Sequence, residues 1–279
     1  MPASRRAVRP AAEAAPAARD LEIERRGRAL VLTMSRPDRR NSLSEAMLAA
    51  LQAALDDAAG DAGVRSVVIA AKGPAFCAGH DLKELTGHRS DADGGRAYYE
   101  LIMRRCAKLM HTIVRSPKPV IAAVHATAQA AGCQLVATCD LAVAAEEATF
   151  CTPGVNIGLF CSTPMVALSR NVPRKRAMEM LLLGELLPAR AAAEHGLVNR
   201  VVPPGRVLDE ALALADLIAS KPATTLAIGK EAFYRQIEMP LADAYDYAAR
   251  VMVENMLHSD SKEGIGAFLE KRRPVWDKG

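Results

Sequence analysis

The sequence predicts an α/β protein, because strands and helices alternate up to about Ser162 and helices follow almost without interruption from Thr163. Two β-branched apolar runs indicate buried strands, one at residues 66–71 and one at residues 119–124. Each run breaks at small residues and then continues in a helical pattern. We therefore expect residues 21–162 to form an α/β core and residues 163–279 to form a helical C-terminal region.

The composition narrows the class of protein. Aromatic residues make up only 4% of the chain, so an aliphatic core is expected. The formal net charge of +4 is too weak to indicate nucleic-acid binding, and no basic stripe is interleaved with aromatic residues. Basic clusters such as residues 174–176 and 271–273 are either solvated surface or contacts to a polyphosphate ligand. No apolar run is long enough to cross a membrane, so no membrane partner is expected.

The cysteines and the N-terminal segment bear on the cell compartment. None of the six cysteines forms a CxxC pair or a metal-binding spacing with histidine, so we expect free thiols, a reducing compartment and no metal site. Residues 1–20 are rich in Ala, Pro and Arg and are predicted to be a disordered tail of a cytoplasmic protein. An Arg-rich, acid-poor segment is also typical of mitochondrial transit peptides, which leaves the mitochondrial matrix as the alternative.

Along the chain, residues 21–26 and 29–34 predict a hairpin, and Ser44 is placed to cap a helix with apolar residues at helical spacing. Asp81 opens a short helix, the polar segment at residues 87–95 is a candidate lid, and a long helix covers residues 97–115. A short helix at residues 131–138 and a strand at residues 140–145 follow. The later helices are expected at residues 163–170, 174–183, 189–195, 208–220, 222–237, 242–257 and 262–271.

Two segments concentrate the features of a binding site. Residues 73–85 read GPAFCAGHDLKEL, and residues 124–140 read VHATAQAAGCQLVATCD. Each leaves a buried strand and enters a helix, where free backbone N–H groups and the helix dipole attract negative charge. Side by side, two such turns would form an oxyanion hole that a substrate carbonyl can approach closely.

These segments resemble the paired signatures of the crotonase (enoyl-CoA hydratase/isomerase) superfamily, through FCAGHDLKE and AAGCQLVATCD. The resemblance continues in CTPGVNIGLF at residues 151–160 and in GIGAFLEKRRPVW at residues 264–276. It implies the crotonase (ClpP-like) fold, a spiral of ββα units followed by a helical trimerisation region. It also implies a homotrimer or a dimer of trimers.

The resemblance implies an acyl-CoA thioester as substrate or ligand and no permanently bound cofactor. The thioester oxygen would lie between the backbone N–H groups of His80 and Ala131. Four further positions match contacts to coenzyme A in the family: Ala78, Lys83, Phe268 and Lys271.

Hydratases of this family also use two glutamates to move protons. The matching positions here are Gln134, directly after the Gly-Cys pair, and Gly154, directly after Pro153. An amide can orient a water molecule but cannot take its proton, and glycine offers no side chain. Classical hydration is therefore not expected.

Several alternatives follow from these residues. The His80 ring either takes part in acid–base chemistry or is a hydrogen-bonded structural histidine. Cys133 beside His125 or His80 could form a nucleophilic pair, although a thiol among small apolar residues favours inert packing. At the level of the whole chain, a catalytically silent acyl-CoA-binding regulatory oligomer and a true enoyl-CoA hydratase of fatty-acid metabolism remain the alternatives to enolate stabilisation alone.

Overall fold

The two predicted buried strands lie side by side in the centre of a parallel sheet. The structure is a computed structural model that describes residues 20–276. Most of the predicted tail, residues 1–20, lies outside the described residues. The strands within that range are β1 Leu21–Arg26, β2 Ala29–Met34, β3 Ser66–Ala71, β4 Ala75–Cys77, β5 Val120–Val124, β6 Thr127–Gln129, β7 Leu141–Ala145, β8 Thr149–Cys151, β9 Leu187–Pro188 and β10 Arg200–Val202.

Helices separate and cover these strands. Their bounds are α1 Glu45–Gly60, α2 Leu82–Gly87, α3 Arg96–Arg115, α4 Ala131–Thr138, α5 Pro164–Asn171, α6 Arg174–Leu183, α7 Ala189–Glu194, α8 Val207–Ala219, α9 Ala223–Gln236, α10 Leu241–Leu257 and α11 Ser259–Leu269. Ser44 caps α1 as predicted, since its Oγ accepts a hydrogen bond from the Met47 N–H. Helix α11 begins earlier than the predicted residue 262, because the His258 side chain caps it by accepting from the Asp260 N–H.

The strands form two sheets. The larger sheet has the order β1-β2-β3-β5-β7-β10 and is parallel except for the β1–β2 hairpin. The smaller sheet has the order β4-β6-β8-β9, with β9 antiparallel to β8. Three successive segments of chain each give one strand to the larger sheet, one to the smaller sheet, and then a helix. This is the predicted spiral of ββα units.

The core lies between the larger sheet and the helices that cover it. Every residue of β5 is buried, and so is every residue of β3 except its last. Helix α1 turns its predicted apolar face, including Met47, Leu51 and Leu55, into this core. Helix α8 packs against β3, β5 and β7. Nearly all of the buried side chains are aliphatic, as the scarcity of aromatic residues predicted.

The short strands were not predicted from the sequence. Strands β4, β6 and β8 have three residues each, which is too few to show a two-residue alternation. Strand β10 lies beyond the compositional change near residue 162, yet it pairs with β7 and completes the larger sheet. The segment after residue 163 is therefore mostly helical but contributes one strand to the same sheet as the preceding residues.

Two further features of the described chain concern its most apolar helices and the candidate lid. None of the helices within residues 20–276 combines the length and the apolar composition of a membrane span. Helices α8 and α9 reach that length and composition only when taken together, and the angle between them is 107°. The candidate lid contains one 3₁₀ turn at His88–Ser90. Asp93 connects the end of the candidate lid to α3, because the Asp93 carboxylate accepts hydrogen bonds from the N–H groups of Gly95 and Ala97.

Candidate functional site

The two motif turns meet where the smaller sheet joins helix α4. Strand β4 pairs in parallel with β6, so the residues that follow each strand lie next to each other. A Cβ atom on Gly132 would overlap the Cys77 carbonyl oxygen and lie 2.7 Å from the Cys77 Cβ. Only glycine allows this close approach between the first turn of α4 and strand β4.

A second close approach joins Gly79, the residue before His80, to the start of α4. A Cβ atom on Gly79 would lie 2.9 Å from the Ala130 Cβ and 3.4 Å from the Ala131 nitrogen. Gly79 precedes His80 and has φ +92°, a conformation that favours glycine. The structure therefore places the peptide between residues 79 and 80 beside the N-terminus of α4.

Neither predicted donor, the N–H of His80 or that of Ala131, has a backbone acceptor among the described residues. Ala131 is the first residue of α4, so its N–H has no acceptor within the helix. Ala130, just before it, has φ 47°, an uncommon conformation for a residue with a Cβ, and its own N–H donates to the Cys151 carbonyl at 2.9 Å. Within residues 20–276, the His80 N–H donates no hydrogen bond.

The His80 ring lies in an apolar environment. Among the described residues, neither ring nitrogen has a hydrogen-bond partner, and both are shielded from solvent. Burial lowers the pKa of His80, while the neighbouring Leu43 backbone opposes the shift. The imidazole is therefore neutral near pH 7.

Gln134 is deeply buried on α4, with 4% of its surface exposed. Within the described part of the chain, its Oε1 atom has no hydrogen-bond partner. A buried amide oxygen without a partner loses solvation free energy, so a ligand or water donor at this position would be favourable.

Gly154 is the second residue of a short 3₁₀ helix, Pro153–Ile157, that follows β8. A Cβ atom here would lie 2.6 Å from the Leu159 carbonyl oxygen and 2.9 Å from the Cys161 Sγ. The space that a longer side chain needs is thus already occupied by backbone and by a thiol. The φ angle of Gly154 is not positive, so packing rather than backbone strain excludes a side chain.

The four predicted coenzyme A contacts are not all brought together. Ala78 lies two residues before His80. Lys83 lies three residues after it and is exposed in the first turn of α2. Phe268 lies on α11, 81% exposed, and Lys271 follows that helix with φ 57°. Helix α11 packs against α9 and α10.

The cysteines are free and buried, as predicted. Burial raises the pKa of Cys77 and Cys106 to about 12 and also raises that of Cys133. His125 Nε2 lies 2.8 Å from the Gly73 carbonyl oxygen rather than on a thiol. These findings favour inert packing for Cys133 over a nucleophilic pair. Within the described residues, no three His, Cys, Asp or Glu side chains are grouped to hold a metal ion.

One residue beside the site was missed by the sequence analysis. Asn41 precedes α1 and is completely buried. Its side-chain nitrogen donates to the carbonyl oxygens of Lys72 and Ala75, both at 2.8 Å. An Asn after two arginines in a predicted turn gives no signal of such contacts more than 30 residues away.

Known proteins resemble this chain over most of its length. A family model described as Enoyl-CoA hydratase/isomerase matches residues 24–279. The enoyl-CoA hydratase domain-containing protein 3, mitochondrial, of Rattus norvegicus is 47% identical over 245 residues, which cover 88% of this chain and 80% of that protein.

Two solved structures are also similar. An enoyl-CoA hydratase of Mycobacterium smegmatis has a TM-score of 0.87 and 53% identity, covering 92% of this chain and 98% of that one. The human enoyl-CoA hydratase domain-containing protein 3 has a TM-score of 0.88 and 45% identity, covering 92% and 100%. These likenesses confirm the expected fold, a spiral of ββα units followed by a helical C-terminal region.

Proposed function

Because the chain belongs to the enoyl-CoA hydratase/isomerase family, we propose that it binds an acyl-CoA thioester with the carbonyl oxygen between two backbone amides. The donors are the N–H groups of His80 and Ala131. The observation that supports this proposal is the closeness of Gly79 to the start of α4, since a Cβ atom on Gly79 would lie 3.4 Å from the Ala131 nitrogen. Preorganised donors of this kind are worth about 3 kcal/mol each when negative charge develops on the oxygen.

The proposed chemistry is stabilisation of an enolate without the two-carboxylate hydration mechanism. Gln134 and Gly154 stand where family hydratases carry glutamates, and neither can exchange a proton near neutral pH. Gln134 instead offers a buried carbonyl oxygen that can accept from a water molecule or from the ligand. The packing around Gly154 supports the same view, since it leaves no room for a carboxylate.

His80, whose backbone N–H is one of the proposed donors, also carries a titratable ring. A neutral imidazole has one nitrogen that can accept a proton, so a weak isomerase or lyase step through His80 is chemically reasonable. The competing proposal is a catalytically silent acyl-CoA-binding oligomer. The two replaced acids support that second function, whereas the neutral imidazole of His80 beside a retained pair of amides supports the first.

Coenzyme A itself would lie along the exposed edge of the first motif. Lys83 is free to approach its phosphates, because its side chain is exposed on the first turn of α2. Ala78 would face the pantetheine with backbone groups, and Phe268 and Lys271 would contribute from the C-terminal helices. The ligand is a substrate or effector rather than a resident cofactor.

The proposed assembly is a homotrimer or a dimer of trimers. Of the apolar residues that motivate it, Phe233, Met252, Met256 and Leu257 are more than half exposed, and Val251 is partly buried. The cell compartment is proposed on weaker grounds. The rat relative is named as mitochondrial, which supports the matrix alternative over the cytoplasmic location expected from the sequence.

Two measurements test the proposed function. Calorimetry with a saturated acyl-CoA and with free coenzyme A should give tighter binding of the thioester; equal affinity would contradict the role of the hole. Absorbance of crotonyl-CoA at its conjugated thioester band should stay constant, apart from a slow background rate. Loss of that band at an enzymatic rate, with 3-hydroxybutyryl-CoA as product, would instead establish a true hydratase.

A further inference from the structure

The chain segment just before α1 wraps around the first motif turn. Arg40 and Asn41 have φ angles of 50° and 52°. Residues with a Cβ adopt this left-handed conformation at a cost of roughly 1–2 kcal/mol, and Asn tolerates it better than most. Two successive left-handed residues therefore need specific contacts to hold them.

Asn41 supplies those contacts. Its Nδ2 atom donates to the carbonyl oxygens of Lys72 and Ala75, and its Oδ1 atom accepts from the Arg36 N–H, all at 2.8 Å. Lys72 and Ala75 lie on either side of the turn between β3 and β4. One buried amide thus joins this turn to the segment before α1.

The backbone on either side of Asn41 forms hydrogen bonds with the peptides that precede His80. The Arg40 carbonyl accepts from the Ala78 N–H at 3.0 Å, and the Leu43 N–H donates to the Gly79 carbonyl at 2.8 Å. The Gly79 carbonyl and the His80 N–H belong to the same peptide unit. No cis peptide bond occurs in the described chain, so this unit is trans and the N–H points opposite to the C=O.

The direction of the His80 N–H is therefore set by the hydrogen bond that Leu43 makes. This bond also polarises the peptide and strengthens its N–H as a donor. Leu43 is held in position by the left-handed pair before it, which in turn depends on the Asn41 amide.

We propose that Asn41 is a positioning residue of the oxyanion hole, which fixes the His80 N–H through the Leu43–Gly79 hydrogen bond. The proposal rests on the proposed function of that hole. Substituting Asn41→Gly removes the amide and keeps the left-handed conformation accessible. The His80 donor should then lose its fixed direction, while the coenzyme A contacts of the exposed first turn of α2 stay in place.

The test is isotope-edited infrared spectroscopy of a saturated acyl-CoA labelled with ¹³C at the thioester carbonyl. In the parent protein, hydrogen bonds from the hole should shift the carbonyl stretch to lower frequency. In Asn41→Gly, that shift should shrink, and the preference for acyl-CoA over free coenzyme A should fall by about tenfold, as expected when one hydrogen bond is misaligned. The affinity for free coenzyme A should not change.

Asn171→Gly is the matched control, because the Asn171 Nδ2 also donates to two carbonyl oxygens, those of Ala137 and Ala167. It should lose stability but keep the parent carbonyl frequency. A folded Asn41→Gly variant with the full parent shift would overturn the proposal. A parent without any shift would instead overturn the proposed function.

A second variant, Asn41→Asp, tests the same role if the Asn41→Gly protein does not fold. It keeps the acceptor for the Arg36 N–H and loses both donors, so it should also show a reduced carbonyl shift. If neither variant folds, Asn41 is required for stability as a whole and the positioning role is wrong.

Discussion

Lys230 Nζ lies 2.6 Å from Asp140 Oδ2, and this ion pair fastens helix α9 to the start of strand β7. The ammonium group also donates to the carbonyl oxygens of Ile113 and Lys118, while Tyr234 donates to the other carboxylate oxygen at 2.9 Å. Asp140 further accepts a hydrogen bond from the Val120 N–H. The pair is largely shielded, with side-chain exposures of 7% and 16%.

We expect Lys230→Met to destabilise the fold by about 3 kcal/mol, because removing one partner leaves a mostly buried carboxylate uncompensated. Urea unfolding measures this change. The double variant Lys230→Met with Asp140→Asn should recover part of the loss, since no isolated charge remains. The exposed Lys262→Met on α11 is the control and should be neutral. Equal stability of Lys230→Met and the parent would show that the pair contributes nothing net.

Folding stability should fall as the pH drops below about 6.5, and His80 should account for part of this fall. Burial lowers the pKa of His80, so the unfolded chain takes up a proton at a higher pH than the folded chain does. The stabilisation is complete above the unfolded pKa and is lost as the pH falls toward the folded one. The slope from this single group can reach about 1.4 kcal/mol per pH unit.

Urea unfolding between pH 5 and pH 7.5 checks this dependence in parent and His80→Gln proteins. The difference in unfolding free energy between them should change with pH in this window. His111→Gln, at an exposed position on α3, is the matched control for loss of one histidine. A pH-independent difference between parent and His80→Gln would contradict the lowered pKa.

Gln134→Glu should fold and should raise the hydration rate of crotonyl-CoA above that of the parent. The two side chains have nearly the same shape, and burial raises the pKa of the new carboxyl group toward that of a useful base. A positioned acid–base group typically contributes about 10²–10⁴-fold. Gln134→Ala should bind acyl-CoA almost as well as the parent. A folded, ligand-binding Gln134→Glu protein without any gain would mean that the pocket is shaped for another reaction.

Gly154→Glu should not add to that gain. Its Cβ would lie 2.6 Å from the Leu159 carbonyl oxygen, so the loop must move before any carboxylate can enter the site. We expect reduced thermal stability and weaker acyl-CoA binding by calorimetry, in the single variant and in the double variant with Gln134→Glu. A stable double variant that hydrates faster than Gln134→Glu alone would refute this steric account.

Gly132→Ala should disrupt the contact between α4 and β4 on which the hole depends. The added methyl group overlaps the Cys77 carbonyl, and overpacking of this kind typically costs about 1–3 kcal/mol. Binding of acyl-CoA should weaken with it. The control is Gly266→Ala inside α11, where a Cβ meets no atom within 4 Å; helix propensity predicts a gain of about 0.5–1 kcal/mol there. Unchanged acyl-CoA binding by Gly132→Ala would show that the hole does not depend on the contact between α4 and β4.

Sedimentation should show trimers or hexamers at micromolar concentration. Two separate apolar surfaces are exposed, one on α9–α11 that includes Phe268 and one near α5 and α6 that includes Phe160 and Leu182. When two different surfaces of one chain pair head to tail and the rotation between subunits closes, the assembly is a ring. A monomer at this concentration would contradict the proposed assembly.

Long apolar patterns and local caps were readable from the sequence. The helix Arg174–Leu183 was predicted to the residue, and Ser44 and Asp81 cap helices α1 and α2 as expected. What the sequence does not reveal depends on contacts between distant segments. The three-residue strands form only because they pair with one another, and Lys230 meets Asp140 from 90 residues away.

The candidate site likewise has features that the sequence predicts and features that depend on contacts between distant segments. The turns after two buried strands predicted the location of the candidate site, and the family resemblance points to the amides of His80 and Ala131 within them. The environment of the His80 ring and the role of Asn41 depend on the folded packing around them, and no local pattern distinguishes them.

The position of β10 has a consequence for any shortened form of this protein. A fragment ending near residue 162 would lose both β10 and α8. Strand β7, whose sequence is LAVAA, would then present a row of unpaired peptide groups at an open sheet edge, next to an uncovered apolar face. Such an edge is a template for pairing with other chains. Proteolysis or premature termination in this region should therefore yield aggregates rather than a smaller, independently folded unit.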